Sequence, residues 1–145
     1  MQRSFRRWWV FAWCALLLAI PAGAFGQAQA PSIALKGYDP VAYFTQGKPV
    51  KGEKSLSHEF DDVLYLFSSA KHKAAFVANP DKYAPQFAGL CSGGVSKGMK
   101  TESNPELWAI VNGKLYTFSS QKAKETVLES PALIAQAHKN WVTLK

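Results

Sequence analysis

Apolar and polar positions along the chain fall into a pattern that occurs twice. His58 to Ala84 reads HEFDDVLYLFSSAKHKAAFVANPDKYA, and Ala109 to Ala135 reads AIVNGKLYTFSSQKAKETVLESPALIA, an offset of 51 residues. In each copy a short apolar stretch ends at a polar pair, Asp61-Asp62 or Asn112-Gly113, and a second stretch rich in Tyr, Phe and Leu follows. Asn-Gly between apolar runs signals a two-residue hairpin, because both central residues take positive φ; Asp-Asp carries the same signal more weakly. The hydroxyls of Ser68/Ser69 and Ser119/Ser120 then stand where a helix needs an N-cap. Short helices are predicted to run to Asn79 and Ser130. Pro80 and Pro131 open the next helical pieces, where a missing N–H costs nothing. From Pro131 to about Trp141, the residues Leu133, Ile134, Ala137 and Trp141 form one apolar stripe, which reads as a final helix. The pattern predicts an α+β fold: a small single domain of two repeated hairpin–helix units, its hairpins joined in one antiparallel sheet packed by short helices. Two copies make a duplicated unit; a solenoid would need more.

The start of the chain follows a different logic. Arg3, Arg6 and Arg7 precede an apolar run of 13 residues, Trp8 to Ile20, which Pro21 ends. Ala22-Gly23-Ala24 is a small-x-small cleavage site. A bilayer span needs about 20 apolar residues, so this order reads as a cleavable secretory signal over residues 1–24 rather than an anchor. Gly26-Gln27-Ala28 offers an alternative cut after residue 28, and Arg6-Arg7 hints at the twin-arginine route. Residues 25–34 read as a flexible lead-in, and the domain is expected over 35–145. The protein is therefore expected in the periplasm or secreted, with no membrane attachment after cleavage.

Charge and cysteine usage narrow the partners. The leader holds three of the 17 basic residues and none of the 10 acidic ones, so its loss takes the net charge from +7 to +4. A modest, dispersed excess on an exported protein reads as solvated surface and argues against nucleic acid. Cys14 leaves with the leader, and Cys91 remains. A single thiol in an oxidising compartment must be buried, metal-bound, reactive or paired with another molecule.

The repeat serves as an internal control on chemistry. His58 corresponds to Ala109 and His72 to Ala123, so both histidines stand where the same scaffold accepts alanine. Across the two-residue turn, Phe60 is expected opposite Val63 and His58 opposite Tyr65. His72, one turn before Phe76, is expected to share its side of the helix. Cys91 lies in a glycine-rich loop, Phe87 to Gly94, that reads as having no counterpart in the repeat. Imidazole and thiolate suit copper or zinc, so Cys91, His58 and His72 are candidate metal ligands, with Met99 able to complete a copper site. Against this stand plainer readings: core histidines with satisfied hydrogen bonds, a buried inert cysteine, His138 as a helix-end cation, and Trp108 and Trp141 as core aromatics. CxxC and HExxH motifs are both absent from the sequence.

Gly37-Tyr38-Asp39-Pro40-Val41-Ala42-Tyr43-Phe44, Ser57-His58, Tyr65-Leu66-Phe67-Ser68-Ser69 and Asn79-Pro80-Asp81-Lys82-Tyr83 together resemble the YHS domain family. The run Tyr83 to Cys91 resembles its exported bacterial branch. The resemblance covers nearly all of residues 35–145 and implies a metal-binding module. The cysteines that YHS copies in metal-transport ATPases carry are replaced here by Ala42-Tyr43-Phe44 and by Ser68, Ser69 and His72. Of the name motif, His58 matches and the Tyr position is Leu56. Relatives with selenocysteine near the Gly-Cys loop imply redox chemistry for Cys91. Three functions are therefore carried forward: a copper or zinc module using Cys91, His58 and His72; a thiol redox protein using Cys91 with a redox partner protein; and a non-catalytic interaction domain.

Overall fold

The computed structural model describes residues 31–145; the leader and the start of the lead-in lie outside the described residues. The first half comprises strand β1 (Ser32–Ile33), helix α1 (Ala42–Thr45), strands β2 (Glu53–Phe60) and β3 (Val63–Phe67), and helices α2 (Ala70–Ala78) and α3 (Pro80–Tyr83). The second comprises α4 (Ser92–Val95), β4 (Asn104–Val111), β5 (Lys114–Phe118), α5 (Gln121–Glu129) and α6 (Pro131–Leu144). This is an α+β fold. Strand β1 lies ahead of the boundary expected at Leu35.

Both hairpins close as the sequence predicts. Asp61 and Asp62 take φ of 52° and 60°, and Asn112 and Gly113 take 50° and 74°, the left-handed pair that matches strand twist. Phe60 faces Val63 and His58 faces Tyr65. Each long strand carries the same irregularity: the register slips between Glu53 and Ser57 in β2, and between Asn104 and Trp108 in β4. Ser69 and Ser120 are the N-caps, accepting from the backbone N–H of His72 and Ala123 at 3.1 Å. The preceding serines, Ser68 and Ser119, are thereby left for other work.

The two hairpins do not join into one sheet. β3 is flanked by β2 and, in parallel, by β1, while β4 and β5 form a separate pair. β1 takes the free side of β3, and a bridge from Cys91 to Thr117 takes that of β5, so these two strands do not pair with each other. Each half also has its own core. Val41, Tyr43, Tyr65, Phe67 and Phe76 centre the first; Phe87, Val95, Tyr116, Phe118 and Val127 centre the second.

The duplication extends further upstream than the sequence pattern suggests. Leu35, Lys36 and Gly37 take φ of 51°, 49° and 83°; Phe87, Ala88 and Gly89 take 57°, 53° and 80°. These are matching left-handed turns 52 residues apart, and four of the six residues are not glycine. Such residues need surrounding contacts to hold them there. The two turns pack on each other: a Cβ on Gly89 would lie 3.0 Å from Leu35 Cδ2. The glycine-rich loop around Cys91 is therefore the second copy of the Leu35–Thr45 segment, not a unique insertion.

Candidate functional site

Aligning the halves places Asp39 against Cys91, Thr45 against Lys97, Ser68 against Ser119 and His72 against Ala123. The backbone confirms the first equivalence. Asp39 N–H donates to Val50 O at 2.8 Å, and Cys91 N–H donates to Thr101 O at 2.8 Å.

In the first half this position is a closed polar network. Asp39 is fully buried and accepts four hydrogen bonds. Val41 N–H reaches Oδ1 at 2.9 Å; Ser68 N–H at 2.9 Å, Ser68 Oγ at 2.6 Å and His72 Nδ1 at 2.6 Å reach Oδ2. A buried carboxylate is tolerated only with such a donor set. The opposite ring nitrogen, Nε2, faces Thr45 Oγ1 at 3.1 Å. His72 is thus held at both ring nitrogens and 9% exposed. His58 stays on the hairpin, its ring standing edge-on to Phe76 with centroids 6.2 Å apart.

In the second half the network is dismantled. Cys91 is 1% exposed, and its Sγ donates to Ser119 Oγ at 3.3 Å. Buried hydroxyls fix the loop that carries it: Ser92 Oγ donates to Thr117 O, and Ser103 Oγ and Thr117 Oγ1 donate to Gly89 O. Gly94 lets α4 approach Thr101, where a Cβ would come within 2.4 Å of Oγ1. Three side chains of the first half have smaller counterparts: Val41 becomes Gly93, His72 becomes Ala123 and Phe76 becomes Val127. All three of these positions line a cavity of about 330 Å³, together with Cys91, Lys97, Met99, Thr101, Ser119 and Lys122. Side-chain volume removed from a packed unit remains as open space when the backbone does not collapse.

The copper or zinc centre expected from Cys91, His58 and His72 is not assembled. No group of three or more His, Cys, Asp or Glu side chains among the described residues is placed to hold an ion. The reason is local: Asp39 binds the His72 ring, His58 packs on Phe76, and Cys91 belongs to the other core. Met99, in contrast, shares the cavity with Cys91. His138 also departs from its expected role. Its Nε2 lies 3.0 Å from Tyr116 Oη, and its ring packs 5.0 Å from Phe87, because α6 continues past it to Leu144.

Sequence reasoning does not single out Asp39, Lys97 or Lys122 as site residues, and it reads Ser68 and Ser119 as candidate helix caps. The usable signal was Gly37-x-Asp39 against Gly89-x-Cys91, at an offset of 52 instead of 51. Several buried phenols complete the electrostatic picture. Burial raises the Tyr43 hydroxyl well above its usual range, with smaller contributions from Tyr38, Glu106 and Asp39. Burial lifts Tyr65 to about 12, assisted by Asp61, and also raises Tyr116. Tyr43 Oη donates to Pro105 O at 3.0 Å, tying the halves together.

Comparison with family models, characterised proteins and solved structures returned no match. No helix among the described residues is long and apolar enough to cross a membrane.

Proposed function

We propose that this chain is an exported, YHS-like thiol module in which Cys91 is the working group, passing between free thiol and a sulfenic acid or mixed disulfide. The observation that carries the reading is the cavity at Cys91. The fold seals the equivalent position of the first half with Asp39 and His72, and leaves space against the thiol in the second. Cys91 is the one free cysteine among the described residues, so its oxidised forms need an oxidant or partner from outside. Export is supported by the arginines, apolar run and small-residue site of residues 1–24.

The test is mass spectrometry of the protein recovered from the periplasm, before and after treatment with peroxide or a small disulfide. A stoichiometric, dithiothreitol-reversible adduct on Cys91 is expected, absent from Cys91→Ser. A thiol that reacts only after unfolding would overturn the reading.

Met99 on the wall of the same cavity favours a second reading, capture of a soft univalent ion such as copper(I) by two sulfurs. Here Met99→Leu should weaken copper(I) binding and leave thiol oxidation unchanged. Equal binding by wild type and Met99→Leu would remove this reading.

A further inference from the structure

We propose that the cavity beside Cys91 receives a small, negatively charged disulfide, held by Lys97 and Lys122 while Cys91 exchanges with it. The inference rests on the thiol reading above and adds the class of substrate.

The lining chemistry points to an anion. Lys97 and Lys122 contribute two ammonium groups, and Thr101, Ser119, Ser120 and Thr126 contribute hydroxyls. No carboxylate among the described residues belongs to the lining. Lys97, Lys122 and Ser119 are exposed, so the mouth is open to solvent and the sulfur lies behind Ser119. The first turn of α5, capped by Ser120 and carrying Lys122, opens on the same space and adds partial positive charge.

The internal repeat supplies the second argument, because it shows what this position holds when it is filled. In the first half an imidazole lies between Asp39 and Thr45. In the second, the counterparts of all four network members (Cys91, Lys97, Ser119 and Ala123) line open space. A cation stands where Thr45 met the ring, and a sulfur replaces the carboxylate. The buried acceptor for a positive or donating group has gone, and positive charge has been added. About 330 Å³ lies at the small end of ligand pockets and accommodates one arm of a short-chain disulfide.

The step is a thiol–disulfide exchange. The Cys91 proton leaves to water, and the thiolate attacks one sulfur of the bound disulfide. A new S–S bond forms to Cys91 Sγ as the original S–S bond breaks, and the second sulfur departs as a free thiolate. A second small thiol reverses the step.

The test compares two disulfides of opposite charge, dithiodipropionate (a dianion) and cystamine (a dication). Each rate with folded protein is divided by that with the urea-unfolded chain, which removes intrinsic reactivity. The expected normalised preference for the dianion is roughly tenfold at low salt, falling with ionic strength. It should vanish in Lys97→Gln/Lys122→Gln, which alters two exposed side chains. If folded Cys91 reacts with both disulfides without preference, or the preference survives the double variant, the anion assignment is overturned and the thiol reading stands. If folded Cys91 reacts with neither while the unfolded chain reacts with both, the two fall together.

Discussion

Asp39 and Cys91 occupy one position in two copies of the same unit: each donates its backbone N–H across 2.8 Å to the equivalent carbonyl, of Val50 or Thr101, and each side chain meets the serine that ends the second hairpin strand. The first is built for anchoring, with four donors converging on a buried carboxylate. The second keeps a single weak hydrogen bond and faces open space.

That contrast sets the relative cost of truncation. Asp39→Ala strands the donors of Ser68, His72 and Val41 in a buried site and should destabilise the fold by about 3–5 kcal/mol. Cys91→Ala removes one weak hydrogen bond and a small apolar contact and should cost about 1 kcal/mol. Urea unfolding monitored by circular dichroism distinguishes the two, and equal costs would contradict the assignment of roles.

The equivalence of the halves can be tested by transplanting the network. Cys91→Asp alone buries a carboxylate whose one side-chain partner is Ser119, and it should be severely destabilising. Adding Ala123→His supplies the missing ring and fills the cavity. The double variant should recover about 1–3 kcal/mol relative to the sum of the single changes. A double-mutant cycle showing no coupling would mean that the two positions do not correspond.

Gly93 lines the cavity beside the sulfur. An alanine Cβ there would lie 3.7 Å from Cys91 Sγ and 3.5 Å from Ala123 and Val127, which is ordinary contact. Gly93→Ala should therefore keep the fold and slow alkylation of Cys91 by about tenfold or more, as expected when a packed methyl replaces open space. Unchanged alkylation kinetics would place the route to the thiol elsewhere.

Alkaline pH should loosen the protein. The phenols of Tyr43, Tyr65 and Tyr116 are all raised by burial, so the fold favours their neutral forms. An unfolded tyrosine ionises near pH 10. Their contribution is therefore complete below about pH 10 and is lost as pH rises through the folded values, about 12 for Tyr65. Absorbance at 295 nm should lag behind that of the urea-unfolded chain, and the urea midpoint should fall steadily above pH 10.

Much of this architecture was legible because it is local. Asn112-Gly113 dictates its turn, Ser69 and Ser120 dictate the helix starts, and the alternation around Phe60 and Val63 sets the strand register. The site was not legible, because the side-chain partners of Asp39, Thr45 and Cys91 lie 27 to 33 residues away in the chain. The one-residue change of offset between the loops and the hairpins hides Asp39 behind Cys91. The left-handed turns at Leu35 and Phe87 give no glycine signal where they begin. His72 is kept apart from Cys91 by a contact that no spacing rule reveals, its bond with Asp39.

Because the hairpins belong to separate sheets, no ladder of backbone hydrogen bonds among the described residues runs from one half to the other. The halves are coupled instead by side chains: Tyr43 fastened to Pro105, Leu35 set against Gly89, and Leu115 of β5 seated in the first core. The Asp39 network closes on Ser68 at the end of β3, and the cavity lies at the matching end of β5, beside Ser119. Opening of β5 would draw Leu115 out of the first core, so exchange in the second hairpin is expected to register in the first. The thiol and the anchor thus stand against separate sheets that answer to each other through side chains.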